Sequence, residues 1–244
     1  MLGTMPSSLH HQAVERLGTR IVEGDLPAGD IVLAEQLEAE LGVSRSVVRE
    51  AVRVLQSLGM LEATKRVGIR VLPPSSWNAY DPMIIRWRLA GQGRGEQLRS
   101  LTELRTAVEP MAAELAALHA PDSTRQQLLE TAEQMRAVGR AGDLQTFLEL
   151  DIRFHAMVLA SSGNEMFARL ADSIAEILRG RTDLGLMPDH PHEQAMQWHV
   201  EVAAAIHARR PEAAREGMDR IMRRTEAELE TVWQGKTRAF GSIA

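Results

Sequence analysis

Asp151 and His155 stand four residues apart in "DIRFHAMVL", so on a helix they project from one face, the face that also carries Phe147, Leu148, Val158 and Leu159. His199, in "WHVEVAAAI", shares a face with Val202, Ala203 and Ile206. A carboxylate and two imidazoles directed into an apolar interior must find hydrogen-bonding partners or bind something. As oxygen and nitrogen donors they suit zinc, nickel or a similar divalent ion. Spacing alone leaves both outcomes open, a hydrogen-bonded cluster or a metal centre. Two histidines and one carboxylate also describe non-haem iron catalysts. No general acid or base accompanies these ligands, however, so no catalytic residue is assigned and the enzyme reading is the weaker one.

A second chemistry lies near the start of the chain. The net charge of −5 argues against a nucleic-acid partner until it is divided along the sequence. Residues 15–40 carry a net −5, whereas residues 45–70 carry a net +4 from Arg45, Arg49, Arg53, Lys65, Arg66 and Arg70 against Glu50 and Glu62. A phosphate backbone responds to the local field, so a basic strip on an acidic protein is a credible footprint for DNA.

The elements that must position these residues are legible from periodicity and punctuation. "HHQAVERLGTRIVEG" is a helix stopped by Gly24, Ile31 to Leu33 a short extended piece, and "AEQLEAELG" a two-turn helix closed by Gly42. "SRSVVREAVRVLQSLG" is a longer helix, with Ser44 as N-cap and Gly59 as its stop. Val47, Val48, Ala51, Val54, Leu55 and Leu58 form its buried side, leaving Ser44, Arg45, Ser46, Arg49 and Arg53 outside. "MLEATKRVGIRVL" reads as two strands joined by a basic turn. Together these make a winged helix-turn-helix. Its second helix enters the major groove by its N-terminal end, where Ser44, Arg45, Ser46 and Arg49 sit, and the turn at Lys65, Arg66 and Gly68 lies along the adjoining groove or backbone. Arginine there can grip guanine bidentately or hold phosphate.

"PPSSW" is a turn-rich break, and beyond it no strand is visible. Seven amphipathic helices with short joints make an antiparallel bundle. In the long one, "EQLRSLTELRTAVEPMAAELAALHA", Leu98, Leu101, Leu104, Ala107, Val108 and Met111 share one side. The fold class is therefore mainly α, an N-terminal winged helix-turn-helix over 9–73, a linker over 74–81 and an all-α bundle over 82–234. With 44% hydrophobic and 25% charged residues the composition is that of a soluble globular protein, and the absence of cysteine excludes disulfides and thiolate metal sites. No signal peptide or membrane-length apolar run is present, which predicts a cytoplasmic protein with no membrane partner.

"GVSRSVVREAVRVLQSLGMLEATKRVGIRV" resembles the DNA-binding domain of the GntR family of bacterial transcription regulators, matching at Ser44, Arg45, Arg49, Glu50, Ala51, Leu55, Gly59 and Gly68. It departs at Glu35, where many members have an arginine directed at phosphate, and at Arg66, which replaces a common wing glycine. "DIRFHAMVLASSGN", "WHVEVAAAI" and "PEAAREGM" resemble the helical effector-binding domain, called FCD, of the FadR-type branch, over roughly residues 98–232. The resemblance implies a homodimeric repressor of a catabolic operon, bound to pseudo-palindromic double-stranded operator DNA, with the bundle serving effector binding and dimerisation. It also implies metal ligation by Asp151, His155 and His199. The position of the family's fourth ligand falls on or next to Ile221, which cannot ligate, leaving room for a hydroxy-carboxylate effector. Arg105, in "ELRTAVEP", matches a position whose guanidinium reaches into the cavity, and Arg179 and Arg181, in "ILRGRT", are further effector-binding candidates. The segment "WNAYDPMIIRWRLAG" resembles regulators answering to sugar acids such as galactonate or gluconate. The alternative is a metal-free relative that senses an acyl or aromatic acid.

Overall fold

Ala13, Val14, Leu17 and Ile21 recur at helical spacing, and they form the buried stripe of α1 (Leu9–Glu23). The Ser8 hydroxyl caps its start by accepting from the His11 N–H at 3.2 Å, and Gly24, at φ 84°, closes it in the left-handed conformation. A second left-handed glycine, Gly42 at φ 67°, makes the sharp turn between α2 (Ala34–Leu41) and α3 (Arg45–Ser57), completing the helix-turn-helix. A hairpin follows, β2 (Leu61–Thr64) and β3 (Gly68–Val71). The extended piece expected near Ile31 joins it as β1 (Ile31–Val32), giving an antiparallel sheet in the order β1-β3-β2 with Ile31 opposite Arg70 and Leu61 opposite Val71. This computed structural model describes residues 8–64, 67–188, 191–235 and 238.

Packing assigns α4 (Pro82–Ala90) differently from the sequence reading, which counted residues from 82 onward with the bundle. The chain divides into two compact units between Arg94 and Gly95, and α4 falls in the first. Ile84 and Trp87 of α4 are buried in one core with Leu17, Leu37, Val48, Leu55, Met60 and Val71. Trp87 Nε1 donates to Glu15 Oε2 at 2.8 Å and Arg86 Nη2 to Glu15 Oε1 at 2.5 Å, so one carboxylate on α1 holds two neighbouring side chains of α4. An amphipathic helix announces that it has a partner but not which one.

The second unit contains α5 (Arg94–His119), α6 (Asp122–Ala141), α7 (Leu144–Ser161), α8 (Glu165–Ala168), α9 (Ala171–Asp183), α10 (Glu193–His207) and α11 (Pro211–Trp233). Helix α10 packs on α6 and α11, and α7 on α6 and α9. The stretch "NEMFARLADSIAEILRGRT", residues 164–182, which its amphipathic pattern predicts as one helix, is broken into α8 and α9. There the Leu170 N–H bonds to the Phe167 carbonyl at 3.0 Å, and this three-residue step tightens the turn and re-aims the chain. Helix α5 is also rotated from expectation. Ala107 is exposed and Leu104, Val108 and Met111 are half-buried, while the inward stripe runs through Leu98, Leu101, Arg105, Glu109, Ala112 and Ala116. No helix among the described residues is long and apolar enough to cross a membrane.

The junction of α1 and α4 has no room to spare, since a Cβ on Gly18 would overlap the Trp87 indole. Gly18→Ala should therefore lower stability by about 1–3 kcal/mol despite its better helix propensity. Thermal unfolding followed by tryptophan fluorescence checks this, and an unchanged or raised midpoint would contradict the packing.

Candidate functional site

The inward stripe of α5 explains its rotation. Arg105 and Glu109, one turn apart, are 1% and 0% exposed. Arg105 Nε donates to Glu109 Oε1 at 2.5 Å, while Glu109 Oε2 takes Nδ1 of His155, which arrives from α7. Asp151, one turn before His155, is carried to the same point because Phe147, Phe154, Val158 and Leu159 bury that face of α7. His199 comes from α10, its Nδ1–H donating to the Ala195 carbonyl at 2.7 Å. Phe154 stands edge-on to both imidazoles, with ring centroids 5.6 Å from His155 and 5.2 Å from His199.

These hydrogen bonds decide which ring nitrogens remain available. A carbonyl only accepts, so the proton of a neutral His199 is on Nδ1 and its Nε2 presents a lone pair. That Nε2 is buried without a hydrogen-bond partner, 3.5 Å from Asp151 Oδ1. Glu109 likewise engages Nδ1 of His155, turning Nε2 toward the same Asp151 oxygen at 3.3 Å. Nε2 of His155 is also 3.3 Å from Arg105 Nη2, whereas the unpartnered Nε2 of His199 faces the Asp151 carboxylate, an arrangement that a cation between them would relieve. One donor atom from each of the three residues lies within 4.8 Å of the others, which fits a divalent ion, and the outer bonds to Glu109 and Ala195 orient the rings as they do around bound metals.

The electrostatics point the same way. Burial opposes ionisation of Glu109, but the charges of Arg105 and His155 outweigh it and lower its pKa from 4.5 to about 2. Its ion-pair contribution to stability is thus complete above the unfolded carboxylate value near 4.5 and is lost as pH falls toward about 2. Burial opposes the charge of Asp151, but the two imidazoles that face it, His155 and His199, outweigh this and hold it well below the ordinary carboxylate value. Burial disfavours charge on His155, yet Glu109 and then Asp151 raise its pKa above 6.5 against Arg105.

A cavity opens from this cluster, with about 60 Å³ available to the centres of water-sized bodies, enough for an ion and a few waters. Arg105, Asp151, His155, His199, Arg181 and Thr225 are among its walls. Arg105 Nη1 is buried there without a partner. Arg179 is not among the lining residues, which corrects the sequence assignment: its side chain is half exposed and pairs with Glu176 at 2.7 Å. Two residues further along α9, Arg181 is the arginine turned inward. Ile221 lines the cavity and supplies an apolar wall where a fourth ligand was expected. Glu109 escaped sequence reasoning. Its signal was an acid four residues after Arg105 on an otherwise apolar helix face.

On the first unit, Arg45, Ser46, Arg49 and Arg53 line a groove floored by Val48, Val52, Ala63 and Ile69, between α3 and the hairpin. Ser44 precedes α3 as expected, but its hydroxyl bonds the Ser46 hydroxyl at 2.9 Å instead of a backbone N–H. Arg53 pairs with Glu50 at 2.8 Å, and Arg49 sits 3.7 Å from the same carboxylate. Exposed pairs of this kind are worth about 0–1 kcal/mol and yield readily to a phosphate. Gly68, at φ 132°, has a packing reason of its own, since a Cβ there would come 2.8 Å from Ile31 and 3.0 Å from the Val32 carbonyl. Lys65 and Arg66, expected at the wing tip, lie outside the described residues.

A winged helix-turn-helix with an arginine-lined reading face, joined in one chain to a helical unit with a charged internal cavity, defines a DNA-binding regulator that responds to a small ligand. The comparisons narrow this class. Residues 9–71 match the model of "Bacterial regulatory proteins, gntR family", and residues 100–224 match that of the FCD domain. The galactonate operon transcriptional repressor of Escherichia coli (strain K12) is 30% identical over 81% of this chain and 86% of its own. The Exu regulon transcriptional regulator of the same strain is 31% identical over 70% of this chain and 63% of its own. Among solved structures, that of Lar, which controls expression of the Listeria monocytogenes agr system, superposes with a TM-score of 0.58 at 15% identity, over 93% of this chain and 99% of the other. The chain belongs to the GntR family, in the branch that carries an FCD domain; it is a transcription regulator and not an enzyme.

The buried triad yields a direct test. Glu109→Ala strands the Arg105 guanidinium in a dry interior and should cost about 3–5 kcal/mol, and a simultaneous Arg105→Met should recover much of the loss. Urea unfolding of the two single variants and the double variant measures the coupling. Additive effects would mean that the pair is not a unit.

Proposed function

We propose that this regulator senses a small hydroxy-acid of the sugar-acid type at a divalent metal in its second unit and thereby changes its grip on operator DNA. The observation that carries this reading is the convergence of Asp151, His155 and His199 on one point beside the unpartnered Nη1 of Arg105. The ligand set suits zinc, with nickel or a similar ion as the other candidates. A divalent ion held by three protein groups supplies a Lewis-acidic centre with positions left for a carboxylate and its neighbouring hydroxyl. Ile221 contributes no donor, so those positions open on the cavity. Arg105 offers the carboxylate a charged donor while Glu109 holds its Nε side. The sugar-acid class is supported by the galactonate operon repressor among the relatives, and repression of a catabolic operon by its name.

On the DNA side, Ser44, Arg45, Ser46 and Arg49 are the groove-reading residues and Lys65, Arg66 and Gly68 the wing contacts, on double-stranded operator DNA in the cytoplasm. Glu35 is exposed at the start of α2 and adds no phosphate contact there. Homodimerisation is supported by Leu104, Val108, Met111, Leu115 and Leu118, which recur at alternating four- and three-residue steps along α5 and are all at least half exposed or half-buried. A second copy joined through such a seam brings two reading helices to a pseudo-palindromic site.

Protein stripped with chelator should bind about one zinc per chain in a calorimetric titration, and His199→Ala should weaken that binding by roughly 10–100-fold or more. Absence of zinc binding by the wild-type chain would remove the metal from the proposal. Arg45→Ala and Arg49→Ala should each weaken operator binding by about 1–3 kcal/mol in fluorescence anisotropy. If neither does, α3 is not the reading helix.

A further inference from the structure

A second guanidinium faces the cavity and is short of a partner. Arg181, on α9, is 6% exposed, and its Nε has no hydrogen-bond partner. Its Nη2 reaches Glu228 Oε2 at 3.3 Å, a long contact. Glu228 is not reserved for it, because Oε1 of the same carboxylate accepts from Arg224 Nε at 2.7 Å. One carboxylate on α11 therefore serves two guanidiniums, leaving one positive charge in excess at this wall. Arg105 differs, since Glu109 neutralises it. At the metal site Asp151 cancels only one charge of a divalent ion, so with neutral imidazoles a second positive charge remains there. The loaded cavity thus has two positive charges in excess, at two separate places. Burial, and then the field of Arg105, push the Arg181 guanidinium below its ordinary value against Asp151 and Glu228.

A buried charge without a counter-charge is costly, and a ligand that brings the missing charges is favoured by the same amount. We propose that Arg181 receives a second carboxylate of the effector, so that the preferred ligand is a hydroxy-dicarboxylate of the aldaric type and not an aldonic mono-acid. This rests on the reading of the cavity as a metal-assisted acid site. One end of the ligand chelates beside Arg105, and the other lies in the fork of Arg181, whose Nε–H and neighbouring N–H are oriented for bidentate contact. Arg224 then keeps Glu228 to itself. Thr225 is a further polar residue of the lining. The cavity as it stands is smaller than such a ligand, so binding must displace lining side chains, and the Arg181–Glu228 contact at 3.3 Å is the weaker of the two held by Glu228.

Galactonate and galactarate separate the possibilities, because they share a carbon chain and differ only in whether the far end is a hydroxymethyl or a carboxylate. Both are titrated calorimetrically into zinc-loaded full-length protein, in wild type, Arg181→Gln, Arg181→Lys and the control Arg179→Gln. The expectation is that wild type binds galactarate about tenfold or more tighter than galactonate. Arg181→Gln should abolish that preference while leaving galactonate within about threefold of wild type, and Arg179→Gln should change neither. Arg181→Lys should keep part of the preference, since it retains the charge and loses the fork. If Arg181→Gln fails to fold, the wild-type ratio and the lysine variant still decide the matter. Equal wild-type affinities, or an Arg181→Gln effect equal on both acids, would overturn the second-carboxylate assignment and leave the sugar-acid reading standing. If neither acid binds the zinc-loaded protein, both fall.

Discussion

Glu109 is a carboxylate with no solvent exposure, and keeping it ionised organises the interior of the second unit. A lone buried carboxylate would neutralise itself by taking up a proton. Here one oxygen is held by Arg105 and the other by His155, and the charge persists. Three consequences follow from that arrangement. His155 is fixed with Nε2 toward Asp151, which completes with His199 a cluster of donors that could hold a metal ion. Arg105 is anchored through Nε, which leaves Nη1 directed at the cavity. Helix α5 must turn this polar pair inward, so that Leu104, Val108 and Met111 are displaced toward solvent, where a second copy can cover them.

The first unit handles charge in the opposite manner. Arg45, Arg49 and Arg53 are exposed, and the latter two share the Glu50 carboxylate in surface contacts that cost little to break. The stiffness lies beneath them, in the core shared by α1, α3, the sheet and α4. Gly42 and Gly59 supply the left-handed turns on either side of α3, and at Gly59 a side chain would strike the Ser76 carbonyl. These arginines are therefore loosely held side chains on a firmly held helix, an arrangement that would suit binding to a polyanion.

Much of this was legible in the sequence because helix punctuation and apolar spacing are local signals. The winged helix-turn-helix and the Asp151–His155 step followed from residue type and period, while the grouping of His199 with them was implied by the resemblance to the FCD domain. The rotation of α5 did not. The pattern rule sends Leu104, Val108 and Met111 inward, and it fails where a buried ion pair and a histidine on another helix compensate one another, since that partner is remote in sequence. The same limit applies to α4, whose indole belongs against Gly18, and to the choice between Arg179 and Arg181, which differ by two positions and therefore by the side of α9 they occupy. In each case the missing information was a tertiary contact.

The central claim is that occupancy of the buried charged site is thermodynamically coupled to DNA affinity. Its most direct measurement is the anisotropy-derived dissociation constant for the operator duplex beside the protein's own gene, taken with zinc-loaded and chelator-stripped protein, each with and without a saturating sugar acid. The expected result is a shift of about tenfold or more on adding the acid to zinc-loaded protein, and little or none in stripped protein. An operator affinity indifferent to acid and metal together would contradict it.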